Sequence, residues 1–280
     1  MRFFALLCWL ALFGAQPALA ASSPRLVPLE RQLAWLTAGQ SSDVGIAALD
    51  LRTGELVAVR GDEPFPMAST VKIAVAANYL AQVEHGRRSL DDTISGRSAR
   101  SLMEAMIIRS DNHATDVLMR DLGGPSTLQA WLDQNQITGL RIDRNIAQLL
   151  SARRDLRDRR DSSTPTAMVG LLQRIDSGQL LKPASKNYLL GLMARCQTGK
   201  NRIRGMLPFG TRVENKTGTL NGLTTDVGFI TLPDGRRVAV ALFARYGANR
   251  PNTIAQAARA IYDGFAGWLR GGYTPAFGAQ

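Results

Sequence analysis

The run Asp43-Val44-Gly45-Ile46-Ala47-Ala48-Leu49-Asp50-Leu51, the tripeptide Arg52-Thr53-Gly54 and the run Glu55-Leu56-Val57-Ala58-Val59-Arg60 read together as a β-hairpin. Two apolar-rich segments flank a short polar loop that contains a glycine. Comparable runs return far down the chain, at Val213–Thr217 and Thr225–Leu232, after which Pro233-Asp234-Gly235 turns into Arg237–Arg245. Between them, from Ser69 to about Ser185, apolar residues recur at helical spacing, with segments near 70–85, 98–121, 126–135 and 165–176. Ser162-Ser163-Thr164 before Pro165 marks a helix start, with proline in the first turn. Residues 252–270 close the chain as an amphipathic helix. The order predicts an α/β fold: an antiparallel sheet formed from both chain ends, flanked by helices, with an inserted all-α domain. Residues 21–65 and 205–280 make the α/β domain and 66–204 the all-α domain. The cleft where they meet is where a site is expected.

The 280-residue chain is 45% hydrophobic and 20% charged with net charge +11, a balance that excludes a disordered chain and a polytopic membrane protein. No period of about 20–50 residues repeats, which excludes a solenoid or propeller. Arg2, the apolar run Phe3–Ala15 and the small-residue pattern Ala18-Leu19-Ala20 read as a Sec-type signal peptide, residues 1–20. The apolar run is too short to span a bilayer. Removal of the signal takes Arg2 and Cys8, leaves net charge +10, and predicts no transmembrane segment in the remainder. Cys196 is then the sole cysteine, so no intrachain disulfide is expected. The basic excess would fit nucleic acid, but export excludes that partner; an anionic envelope polymer or a substrate carrying a carboxylate fits better.

Three short motifs fall where the cleft is expected. Ser69-Thr70-Val71-Lys72 starts a helix, and spacing of three puts the hydroxyl and the amine on one face. A serine hydroxyl needs an adjacent base, and a lysine that is desolvated or placed beside another cation can lose its proton and serve. Ser110-Asp111-Asn112 offers a hydroxyl to pass a proton to a leaving nitrogen and an amide to hold a substrate amide. Lys216-Thr217-Gly218-Thr219 lies on a strand, where Lys216 can attract a carboxylate and depress Lys72, and Gly218 allows close approach to the backbone. No step calls for a cofactor or a metal.

These motifs, in this order, resemble those of the class A β-lactamase-like serine hydrolases, over about Leu26–Leu269. The resemblance implies a serine β-lactamase-like fold, acylation of Ser69 with Lys72 as base and Ser110 as relay, and an oxyanion hole of the Ser69 and Thr219 N–H groups. It implies that Asn112, Lys216, Thr217, Gly218 and Arg204 bind substrate, with Arg204, in Thr198-Gly199-Lys200-Asn201-Arg202-Ile203-Arg204, helping Lys216 and Thr219 hold a carboxylate. It further implies an Ω-like loop at about 141–161 closed by an Arg144–Asp161 ion pair, a periplasmic location, and a monomer acting on a β-lactam or a cell-wall peptide.

Two departures bear on mechanism. Ile146 stands where the family's β-lactamases carry the glutamate that activates the hydrolytic water, and Leu150 stands where they carry an asparagine. No glutamate occurs between Glu104 and Glu214, the loop has extra residues around Arg153–Arg160, and the stretch from Lys72 to Ser110 is short. Slow deacylation is therefore expected, with Gln148 able to position a water without deprotonating it and Asp143 or Asp155 able to reach in if the longer loop folds differently. Two alternatives stand beside the hydrolase: a D-alanyl peptidase or transferase, and a β-lactam-binding protein that stays acylated. Asp111, His85 and His113 read as structural, Cys196 as a small buried apolar residue, and the Arg/Asp alternation of 153–161 as a salt-bridged exposed face.

Overall fold

A computed structural model describes residues 23–38, 41–153 and 155–267. The predicted signal peptide, with Cys8, and the last residues of the predicted closing helix lie outside them. The described chain runs α1 (Val27–Ala38), β1 (Asp43–Asp50), β2 (Leu56–Val59), β3 (Phe65–Pro66), α2 (Lys72–Glu84), β4 (Thr93–Ile94), β5 (Arg97–Ser98), α3 (Ala99–Ile108), α4 (Asn112–Asp121) and α5 (Pro125–Gln134). It continues through β6 (Leu140–Arg141), α6 (Ile146–Ser151), β7 (Ser162–Ser163), α7 (Pro165–Asp176), α8 (Pro183–Ala194), β8 (Val213–Leu220), β9 (Leu223–Thr231), β10 (Arg237–Arg245) and α9 (Arg250–Ala266).

The main sheet has the order β2-β1-β10-β9-β8, with every neighbour antiparallel, so strands from the two ends of the chain meet at β1 and β10. Their register runs from Asp43 opposite Arg245 to Asp50 opposite Val238. Alternation along β1 separates two cores: Val44, Ile46 and Ala48 face α1 and α9, while Ala47 and Leu49 face the helical side with Phe229, Ala239 and Phe243. Leu29 and Leu33 pack with Ile254, Ile261 and Phe265 on the first side. On the second, α2 is buried along Lys72–Ala81 and forms the axis of the helical region.

Three local results differ from the sequence reading. The helix expected over 98–121 is two helices, broken where Ser110 adopts a left-handed φ of 61°. The break turns Ser110 and Asn112 toward α2, which a continuous helix would not do. The strands expected to end at Thr217 and begin at Thr225 extend to Leu220 and from Leu223, joined by the two-residue turn Asn221-Gly222 with Gly222 at φ 79°. The threonine-rich flanks hid a hairpin that the Asn-Gly pair announces. In addition, α8 forms a separate helix between Pro183 and Ala194.

The loop 141–161 is closed at its neck. β7 pairs with both β3 and β6 in a small sheet of order β3-β7-β6, and the Arg144 Nε donates to Asp161 Oδ2 at 2.5 Å with both side chains largely buried. Asp161 Oδ1 also accepts the N–H groups of Asp143 and Arg144 at 2.9 Å, so one carboxylate satisfies both legs of the loop.

Candidate active site

The nucleophile turn follows directly from β3. Met67 N–H donates to Asp161 O at 2.9 Å, Ala68 takes a left-handed φ of 48°, and Ala68–Val71 form a 3₁₀ turn that feeds α2. A positive φ on alanine is unfavourable and is held by its surroundings. Thr70 Oγ1 donates to Met67 O at 2.7 Å and closes the turn. Ser69 is half-buried at the head of the central helix.

Lys72 is wholly buried, and its Nζ reaches Ser110 O at 2.7 Å, Asn112 Oδ1 at 2.8 Å and Ser110 Oγ at 3.3 Å. Lys216, equally buried, donates from Nζ to Ser110 Oγ at 2.9 Å and to Thr217 O at 2.8 Å. The Ser110 hydroxyl thus sits between two amines. Burial, and then the like charge of Lys216, lower the Lys72 pKa to about 7; burial lowers that of Lys216 to about 8. An amine near neutrality can take a proton from a serine and return it through Ser110.

Asp111 caps α4, accepting the Ala114 N–H at 2.6 Å, as its structural reading requires. Thr217 Oγ1 bonds the Thr198 hydroxyl, which in turn lies 3.4 Å from Cys196 Sγ, and Cys196 is buried. His113 is exposed, and His85 Nδ1 lies 2.6 Å from Ala81 O in its own helix. Among the described residues, no group of three His, Cys, Asp or Glu is placed to hold a metal ion.

The geometry at Gly218 and Arg204 bears on the expected substrate contacts. Gly218 is closed on the side where a side chain would stand: a Cβ there would collide with Thr225 Oγ1 and stand 2.9 Å from Met67 O and 3.1 Å from Ala68 Cβ. Glycine is needed there so that β8 can close on the nucleophile turn. Arg204 does not reach the cleft residues named with it. Its Nε donates to Asn215 Oδ1 at 3.1 Å and its Nη2 to Val213 O at 2.6 Å. Arg202 takes the place expected of Arg204, donating from Nη2 to Thr219 Oγ1 at 2.7 Å and from Nη1 to Gly218 O and Thr225 O at 2.9 Å. Residues two apart around a helical turn face different ways, and Ile203 between them is buried. Sequence reading also missed Asp226. Fully buried, it accepts from Asn215 Nδ2 at 2.7 Å and from the Ile203 N–H at 3.2 Å, which fixes the segment carrying Arg202. Burial raises its pKa to about 6.

The loop wall is apolar where a base was sought. Ile146 is buried in the helical-side core, and its N–H and that of Ala147 donate to the two oxygens of Asp116 at 2.7 and 2.9 Å. Gln148 forms a capping box with Asn145, Asp143 pairs with Arg141, and Asp155 accepts the Arg157 N–H at 2.8 Å. Leu150 is exposed.

Comparison with known proteins agrees with this geometry. The pattern of the family described as the β-lactamase enzyme family matches residues 28–265. The chain belongs to that family. It is 29% identical to the extended-spectrum β-lactamase PER-1 of Pseudomonas aeruginosa, covering 87% of this chain and 88% of the relative. Among solved structures, a class A β-lactamase described as the last common ancestor of Gram-negative bacteria is 35% identical with a TM-score of 0.80, covering 85% of this chain and 99% of its own. A β-lactamase from Chitinophaga pinensis is 29% identical with a TM-score of 0.79, covering 84% and 98%. The class A-like fold expected from sequence is therefore the fold of this family member, a serine hydrolase acting on β-lactams.

Proposed function

We propose that this family member opens the β-lactam amide through an acyl-Ser69 intermediate that it hydrolyses slowly. Lys72 in its neutral form takes the Ser69 proton as Oγ attacks the carbonyl carbon. The N–H groups of Ser69 and Thr219 receive the developing oxyanion. As the ring C–N bond breaks, Ser110 gives its proton to the departing nitrogen and recovers one from Lys72. Lys216, Thr219 and Arg202 hold the substrate carboxylate, and Asn112 the acyl amide. The observation that carries this reading is the Ser110 hydroxyl held between Lys72 and Lys216, at 3.3 and 2.9 Å.

Hydrolysis of the ester needs a water that loses its proton as it attacks. Ile146 can neither accept that proton nor orient the water. This supports the second reading, a protein that remains acylated, and it is compatible with a transpeptidase or peptidase on D-alanyl cell-wall peptides. Time-resolved intact-mass measurement with a penicillin separates the three outcomes: adduct followed by release, lasting adduct, or no adduct, the last of which overturns acylation. We place the protein in the periplasm on the strength of the amino-terminal signal pattern. Among the described residues, no helix is long and apolar enough to cross a membrane.

A further inference from the structure

Asp226 is a buried carboxylate that the proposed chemistry leaves unused. It stands on β9 opposite Thr217, wholly inside the protein. An ion in such a place is costly unless it is hydrogen-bonded and paired. Here Asn215 Nδ2 and the Ile203 N–H donate to its two oxygens, and the charges of Arg202 and Lys216 oppose the burial that raises its pKa to about 6. A buried ionic group seldom adds stability over a well-packed apolar one, so its value lies in the positions it fixes.

Those positions belong to the turn that carries Arg202. At Arg202 φ is −107° and ψ −122°, neither helical nor extended, and this turns the following peptide so that the Ile203 N–H meets Asp226 Oδ2 at 3.2 Å. Asn215 lies two residues before Thr217, on the same face of β8, and extends the link. Its Nδ2 donates to Asp226 Oδ1 at 2.7 Å, and its Oδ1 accepts from Arg204 Nε at 3.1 Å. Arg204 Nη2 donates in turn to Val213 O at 2.6 Å. A chain of bonds through Ile203, Asp226, Asn215 and Arg204 therefore clamps the Arg202–Arg204 turn onto β8 and β9. The Arg202 Nε is buried and meets no acceptor among the described residues, so the guanidinium is held by its two outer nitrogens and by the backbone beneath it.

We infer that Asp226 is a positioning residue for the substrate carboxylate: through the Ile203 N–H and Asn215 it holds the Arg202–Arg204 turn so that Arg202, and not Arg204, reaches Thr219. The residue touches no substrate and acts only through Arg202. The inference rests on the reading in which Arg202 helps to hold the carboxylate of a β-lactam that acylates Ser69.

The test measures second-order acylation rates by intact mass for benzylpenicillin and its methyl ester, and reads the acid-to-ester ratio. Asp226→Asn keeps the size of the side chain but leaves two N–H donors facing an amide with one oxygen. It should lower the ratio about tenfold, the scale of one weakened charge-assisted hydrogen bond. A merely structural role slows both compounds alike, so an unchanged ratio in the folded variant overturns the inference. Asn215→Ala should lower the ratio too, and decides the matter if Asp226→Asn does not fold, as judged by thermal melting. Asn215→Asp combined with Asp226→Asn reverses the polarity of the pair while every donor keeps an acceptor, and should restore the ratio. A folded double variant no better than Asp226→Asn overturns positioning through these bonds. With Arg202→Ala already in place, Asp226→Asn should change the ratio no further. A second fall of similar size would assign the effect to Lys216 and overturn action through Arg202. Failure of the unaltered protein to react with either compound overturns the acylation reading instead, and the inference with it.

Discussion

On one side of the cleft, Lys72, Ser110, Asn112 and Lys216 share a continuous set of hydrogen bonds between two fully buried amines. On the other, the loop 141–161 offers Ile146, and its polar groups are committed to holding the loop: the Ile146 and Ala147 N–H groups to Asp116 of α4, Gln148 to a cap, Asp161 to Arg144. The first wall gathers its polar groups around one hydroxyl, while the second uses its own to hold its shape. Acylation and deacylation need different groups in the same cleft, so a family member can keep one complete and alter the other. In the proposed reaction this difference puts the slow step at the loop.

The contrast breaks most completely if the nucleophile is wrong. Ser69→Ala should abolish the penicillin adduct while the melting temperature is retained, and an adduct at undiminished yield would remove Ser69 from the mechanism. Lys72→Ala should slow adduct formation by about 10²–10⁴, the usual worth of a positioned general base. A variant acylating at the parent rate would transfer that role to Lys216.

The other wall is tested by restoring what it lacks. Unmodified protein should give a burst of one equivalent and then slow release. Absence of a base raises the deacylation barrier by about 3–5 kcal/mol, from 10²–10⁴ at 1.36 kcal/mol per decade. Ile146→Glu should recover part of that, measured as the rate of the slow phase, and less than all of it because a carboxylate enters a buried apolar position. Burst-free turnover by the unmodified protein would show that the loop wall is not the deficient one.

A smaller effect separates the two arginines. Arg202→Ala should weaken acylation by a carboxylate-bearing β-lactam about ten- to a hundredfold, as one lost charge-assisted hydrogen bond costs about 1.5–3 kcal/mol. The methyl ester of the same compound should lose little. If Arg204→Ala shows the ester-sensitive loss and Arg202→Ala does not, the assignment made from the Thr219 contact is wrong.

What could be read beforehand follows the same division. The hairpin at 43–60, the late strands and the three motifs were legible because hydrophobic period and short-range spacing act locally. Even the pairing of Arg144 with Asp161 could be named, although it was drawn from resemblance and not from the residues. The choice between Arg202 and Arg204 was not legible, because it depends on which side of a single turn Ile203 is buried. Nor was the break at Ser110, where a left-handed residue is stabilised by contacts from α2 that lie nearly forty positions away in sequence. The packing need for glycine at Gly218 was not legible for a related reason: the space a side chain would occupy belongs to β9 and the nucleophile turn.

The smallest expected effect is in the pH profile, and it bears on the first wall alone. Lys72 must be neutral to accept the Ser69 proton, and with its pKa lowered to about 7 the competent fraction falls tenfold for each unit below that value. Lys216 acts as a cation toward the carboxylate, and with its pKa lowered to about 8 this attraction fades as pH rises past 8. Acylation should therefore rise to a maximum between pH 7 and 8 and decline about tenfold by pH 6. The two limbs have different owners, which a change of substrate can show. A carboxylate methyl ester makes no use of the Lys216 charge, so its alkaline limb should flatten while the acid limb stays. Loss of both limbs with the ester would mean that the acid limb too reports carboxylate binding, and a proton acceptor other than Lys72 would have to be sought.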